Sequence, residues 1–220
     1  MKNIFFATAL LFVLVNFACK SDVAKNANVS AAVERNSGIG AVYELKTSGL
    51  NTIQWIATKV GGTRHTGTIK IVNGRLNVVG DVLTSGDFDI DMNSIYVIDL
   101  QGKEKAELEG HLKTGDFFEV EKYPTGRFVI TKAERVGALE ANTYTLYGDL
   151  TLKNVTKSIK FPANINFKDS VVTAQSSAFF INRTEFGINF SSGILGVAKD
   201  KIIHDEITLL ATMTAVRRKK

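Results

Sequence analysis

The 220-residue chain has one cysteine, two prolines and three histidines. A lone thiol excludes an internal disulfide and any zinc site built on several thiolates. Two prolines exclude a Pro-rich spacer. No Gly-x-Ser-x-Gly, glycine-rich phosphate loop or His-Glu-x-x-His occurs, so the enzyme classes that carry those motifs are not indicated. Charge of one sign is also scarce. The formal net charge is +5, and Lys2 with Arg217, Arg218, Lys219 and Lys220 accounts for all of it, leaving 22 basic and 22 acidic residues. A nucleic-acid binder needs a basic stripe on its folded surface. Here the excess is a tail over residues 217–220, and no nucleic-acid partner is expected. The tail reads as a solvated terminus or, more sharply, as an attraction for anionic lipid head groups. Apolar residues make up 45% of the chain, enough to build a core.

The longest apolar run is at the amino terminus. After Lys2, residues Ile4 to Val15 hold only Thr8 as a polar side chain. The run is too short to span a bilayer and fits the apolar core of a signal peptide. It ends at Asn16-Phe17-Ala18-Cys19, which resembles a bacterial lipobox, although Asn16 stands where an aliphatic residue is usual and Phe17 is bulky. Residues 1–18 are therefore expected to be a signal peptide of the lipoprotein type and Cys19 the acylated residue, with an ordinary secretory signal and a chance cysteine as the alternative. The expected location is outside the cytoplasm, periplasmic or at the cell surface, anchored to a membrane through Cys19. Residues 19–44 are small and polar and read as a flexible tether.

From Asn51 onward the dominant period is two. Ile53, Trp55 and Ala57 alternate with polar residues, as do His65, Gly67, Ile69 and Ile71. Phe88, Ile90 and Met92 alternate with Asp87, Asp89 and Asp91. Longer runs place Ile159, Phe161, Ala163, Ile165 and Phe167 on one face, and Ile207, Leu209, Ala211, Met213 and Ala215 on another. Asn73-Gly74, Ser85-Gly86, Thr125-Gly126 and Lys168-Asp169-Ser170 are read as turns. One helix is predicted over Lys103–Leu112, with Lys103/Glu107 and Lys105/Glu109 at i,i+4 and Leu108 and Leu112 on one side. A single short helix cannot cover so many half-apolar strands. The expected fold is all-β, an antiparallel barrel of about eight strands over residues 45–216, with the helix flanking or plugging one end.

Five motifs in order carry a resemblance. They are His65-Thr66-Gly67-Thr68; Gly86 to Ile95; His111 to Phe118 leading into Lys122-Tyr123-Pro124; Gly148 to Lys157; and Ile181 to Ile188. Together they resemble the YceI family of lipid- and polyisoprenoid-binding proteins over about residues 45–216. Asn154 departs from a glycine common in that family, at a turn that Asn can also make. The resemblance implies a lipocalin-like barrel with a long apolar pore holding an isoprenoid-type chain.

Each candidate site residue also has a plainer role. His204 lies on the polar face of its strand and reads as solvated. His65 shares parity with Ile69 and Ile71 and reads as a hydrogen-bonded residue near a barrel rim, or as a ligand contact. His111 closes the helix, where the dipole favours a cation. Nothing draws the three together, so no metal is expected. Asp87, Asp89 and Asp91 read as a solvated acidic face rather than a calcium or acid/base device. Arg183 and Glu185 share parity if that stretch is extended, which makes an ion pair, or else frees Arg183 for a head-group contact at the pore mouth. Trp55, Ile69, Phe88, Phe128 and Leu146 point inward with Leu150, Phe161, Ile207 and Leu209. Periodicity alone makes that set a packed core as readily as a pore. The resemblance makes it the wall of a ligand site, with His65 and Arg183 at its polar margin. The expected function is non-covalent carriage or sequestration of a long-chain isoprenoid or other apolar lipid, without chemistry and without a cofactor. A homodimer is left open. The alternatives are a surface interaction module on a packed barrel scaffold, and an enzyme on lipid-like substrates, for which His65 and Arg183 are the only polar pair to consider.

Overall fold

The computed structural model describes residues 40–137, 142–193 and 198–219. The signal peptide, Cys19 and the tether up to residue 39 lie outside those residues. In extended backbone, side chains at i and i+2 share a face, so alternating sequence makes half-buried strands. Ten form: β1 (Ala41–Leu45), β2 (Thr52–Thr58), β3 (Arg64–Val79), β4 (Val82–Val97), β5 (Thr125–Arg135), β6 (Thr143–Leu152), β7 (Val155–Lys168), β8 (Val171–Ser176), β9 (Phe179–Asn182) and β10 (Glu206–Arg217). The helix α1 (Gly102–Lys113) lies between β4 and β5.

Every strand pairing is antiparallel, and neighbours follow chain order from β2 to β8. β10 closes the ring, with Leu209 opposite Trp55 of β2 on one side and Met213 opposite Ala174 of β8 on the other. β1 and β2 share one barrel position between β3 and β10, and β8 and β9 share another beside β10. Ten segments thus fill eight positions, which is the expected barrel. Where a shared position passes from one segment to the next, side chains replace backbone partners for β10. Asn51 Oδ1 accepts from the Thr214 N–H at 2.8 Å, and Ser176 Oγ accepts from the Ala211 N–H at 2.8 Å. Closure removes the exposed edges that a long sheet would present.

The barrel is wider in sequence than expected. Ala41–Glu44, placed in the tether by composition, form β1 with Leu45, and β1 pairs with both β10 and β3. Arg217, placed in the basic tail, ends β10 opposite Tyr43, and the Arg218 N–H donates to the Val42 carbonyl at 2.8 Å. A short strand in a polar stretch is held by tertiary pairing that composition does not show.

Three expected turns are not turns. Asn73-Gly74 lies inside the 16-residue β3, Ser85-Gly86 inside the 16-residue β4, and Thr125-Gly126 opens β5, where it pairs with β4. The true hairpin turns at Gly80-Asp81, with Gly80 at φ 61°. The β3–β4 register shifts at Ile71/Asn73, and the bulge flips the face. Ile69 and Ile71 point inward before it, and Leu76 and Val78 after it. Lys168-Asp169-Ser170 does join β7 to β8, with Asp169 at φ 55°.

The helix is one residue longer at each end than expected, and both lysine–glutamate pairs form, at 3.4 and 3.8 Å. No residue of α1 is fully buried. It is fastened by the Val97 N–H donating to Glu109 Oε1 at 2.8 Å and by Lys105 Nζ 3.3 Å above the Tyr96 ring. The core has two clusters. One gathers Leu76, Val78, Leu83, Tyr144, Ile165 and Val172 at the end away from α1. The other gathers Trp55, Ile95, Val97, Phe117, Phe186 and Ile188 at the α1 end. Among the described residues, no helix is long and apolar enough to cross a membrane.

Candidate functional site

Two apolar cavities lie inside the barrel. The one at the α1 end has a volume of about 140 Å³, and the other about 90 Å³. They share the walls Ile53, Ile90, Leu150 and Leu209, which form a waist between them. The first is close in size to the ~150 Å³ apolar cavity that stays dry and takes a benzene-sized guest, and the second is smaller. The outer cavity continues to α1, where Leu108 and Leu112 line it with Phe117 and Phe118. The inner one carries an aromatic belt. Phe161 stacks on Phe179 with centroids 4.3 Å apart and tilts against Phe128 at 5.5 Å.

Glycines set the position of three rings. A Cβ on Gly67 would stand 2.3 Å from Trp55 Cζ2, one on Gly74 2.3 Å from Phe88 Cδ1, and one on Gly148 2.4 Å from Phe128 Cζ. The rings lie over bare backbone, and that lets an aromatic side chain fit along a curved wall.

The polar groups at the outer cavity have partners of their own. His65 Nδ1 is 2.9 Å from Asp99 Oδ2, and the Thr66 N–H donates to Asp99 Oδ1 at 2.7 Å. Burial acts to raise the Asp99 pKa, but the hydrogen bonds from Thr66 and His65 outweigh it and hold the carboxyl below its ordinary value. Arg183 is 3% exposed. All five of its N–H donors are taken: Nε by His204 O, one terminal nitrogen by Ile188 O and Phe190 O, the other by Ile203 O and Asp205 Oδ1. Burial lowers its pKa, and Asp205 acts against that. The ion pair expected with Glu185 does not form. The chain leaves extended geometry after Asn182 and turns through a 3-10 segment, Arg183–Phe186, so parity no longer applies. Asn182 Oδ1 caps that turn by accepting from the Thr184 N–H at 2.9 Å. One buried side-chain polar atom among the described residues has no hydrogen-bond partner, the indole Nε1 of Trp55.

All eleven sequence-derived wall residues stand on the two cavities. Trp55, Ile69, Ile207, His65 and Arg183 line the outer one, Phe88, Phe128, Leu146 and Phe161 the inner one, and Leu150 and Leu209 both. His204 is exposed, and His111 pairs with Asp116 at 2.9 Å between the edges of Phe117 and Phe190. No three metal-ligating side chains come together among the described residues. Asp87 and Asp89 are braced from outside by Arg127, and Asp87 also by Arg75 at 2.6 Å. The sequence reading missed the waist residues Ile53 and Ile90, although they share parity with Trp55 and Phe88. It also missed Phe117, Phe118, Ile188 and Ile203, which come from loops and carry no periodic signal.

The same barrel occurs in solved proteins. BcnA of Burkholderia cenocepacia superposes with a TM-score of 0.62 over 78% of this chain and 99% of its own, at 20% identity. A polyisoprenoid-binding domain of Saccharophagus degradans gives 0.60 over 81% and 99%, at 14% identity. In sequence, a UPF0312 protein of Pseudomonas putida (strain W619) is 26% identical over 72% of this chain and 82% of its own. One of Vibrio vulnificus (strain YJ016) is 30% identical over 61% and 73%. A YceI-like domain model matches residues 43–215. That span starts inside β1, ends inside β10 and takes in both cavities, and by it the chain belongs to the YceI family.

Proposed function

We propose that this barrel binds a long apolar ligand non-covalently, a polyisoprenoid or related lipid, and carries or sequesters it outside the cytoplasm. The observation that carries the reading is the pair of apolar cavities meeting at a common waist. Each CH₂ moved from water into such a wall gains up to about 0.8 kcal/mol. Affinity therefore grows with chain length and needs few polar contacts, less the cost of association and ordering. A guest longer than one cavity passes the waist as its side chains part. The polyisoprenoid-binding domain of Saccharophagus degradans has the same fold, which supports this ligand class. No reaction is proposed: His65 is engaged by Asp99 and Arg183 by Asp205. The cavities also weigh against a packed scaffold serving only as a surface module. In this reading residues 1–18 export the chain and an acylated Cys19 anchors it.

The test is native mass spectrometry with lipid extraction on protein purified from its host, and thermal melting with added isoprenoids. Bound lipid and a raised Tm are expected. Recovery of no apolar molecule, with no melting shift, overturns the reading. Acyl-chain labelling that disappears in Cys19→Ser tests the anchor separately.

A further inference from the structure

We infer that the ligand carries an uncharged oxygen acceptor along its apolar chain, and that Trp55 Nε1 reads it by hydrogen bonding. This rests on the carrier reading above and deepens it. Trp55 is 8% exposed, sits on β2 in the outer cavity wall, and has an indole N–H that meets no acceptor among the described residues. A buried donor without a partner is costly, and native interiors rarely keep one. Its ring cannot turn away freely. The edge bearing Cε2 and Cζ2 lies against Gly67, where an added Cβ would come within 2.5 Å of Cε2 and 2.3 Å of Cζ2. With no acceptor among the described residues and Trp55 in the cavity wall, a ligand in the cavity can supply one.

The surroundings disfavour a charged group as that acceptor. An anion beside Trp55 would need a free cation at the same depth. Arg183 has no donor left, and His65 is held by Asp99. Lys59 also lines this cavity, four residues further along the chain, its Cα about 13 Å from that of Trp55 in extended geometry. The acceptor that fits is a neutral oxygen, such as an alcohol, ether, ester or ketone, within or at the end of a hydrocarbon chain. A pure hydrocarbon fills the same space and leaves the N–H unpaired.

Because Trp55 is the only tryptophan, it gives one indole resonance. The experiment uses the full chain and two probes with one branched isoprenoid skeleton, phytane and phytanol, which differ by a single hydroxyl. With phytanol the indole N–H proton is expected to move downfield, and with phytane it is not. Trp55→Phe, which keeps an aromatic ring, is expected to weaken phytanol about tenfold more than it weakens phytane. Equal indole shifts for the two probes, or equal losses in Trp55→Phe, overturn the inference and leave the carrier reading standing. Failure of both probes to bind the wild-type chain overturns the carrier reading and this inference with it. The resonance is read on wild-type protein, so poor folding of the variant does not remove the test.

Discussion

Arg183 ties three stretches of chain together at the α1 end of the barrel, the 3-10 turn that follows β9, the segment to Phe190 and the approach to β10, through four carbonyls and Asp205. A lysine has three donors on one nitrogen and cannot reproduce that fork. Arg183→Lys is expected to lower stability by about 3 kcal/mol in urea unfolding, because buried carbonyls lose their partners. A loss below about 1 kcal/mol would mean that the arginine is not the fastening it looks like. Asp99 gives a pH-dependent term. Its folded pKa lies below the ordinary value, so its contribution is complete above the unfolded carboxylate pKa of about 3.9 and is lost as pH falls through the folded one. The stability gap between wild type and Asp99→Asn is therefore expected to shrink as pH falls below about 4, measured by urea midpoints between about pH 5 and 2. A gap that widens over that range would contradict the assignment.

The same substitution has opposite signs on different elements. On β3, alanine at Gly67 would place Cβ 2.2 Å from the Tyr96 carbonyl oxygen as well as against Trp55. A backbone oxygen between two paired strands cannot retreat, so Gly67→Ala is expected to cost at least about 2 kcal/mol. On α1, Gly110 has nothing within 4 Å, so Gly110→Ala is expected to stabilise by about 0.5–1 kcal/mol. Urea midpoints of the two variants check both signs. These elements also show what was legible in the sequence. The alternating runs that end at Ile71 and Met92 are real, but the strands do not end there. Bulges at those points flip the inward face, from Ile71 to Leu76 on β3 and from Met92 to Ile95 on β4. A bulge is stabilised by cross-strand register, so in one strand's sequence it looks the same as a termination. The β6–β7 hairpin was easier. Lys153 and Asn154 adopt φ of 47° and 61° in a two-residue loop, and Asn tolerates that region well.

At the scale of the molecule, Ile53, Ile90, Leu150 and Leu209 line both cavities, and in the proposed carrier they set how long a guest can be. Leu209→Phe is expected to narrow the waist, leaving a short guest held in one cavity within about threefold of wild-type affinity and weakening a chain long enough to need both by at least tenfold. Titration with a C10 and a C40 isoprenoid checks this. Equal loss for both lengths would mean that the cavities do not act as one site. The helix over the outer cavity fits the same picture, since it offers Leu108 and Leu112 to the interior and buries no residue fully.

The sequence by itself determined the strand period, the inward faces, the single helix and the five motifs that mark the family. It could do so because parity along a strand and side-chain spacing on a helix are local. Only the tertiary structure decided that the inward faces leave two cavities rather than a filled core, that Arg183 pairs with Asp205 rather than Glu185, and that the Trp55 N–H meets no acceptor among the described residues. Those outcomes depend on barrel circumference, on bulge positions and on glycines such as Gly67 and Gly148 facing rings. They sum volumes and hydrogen bonds over residues far apart in the chain, and local pattern carries no record of that sum.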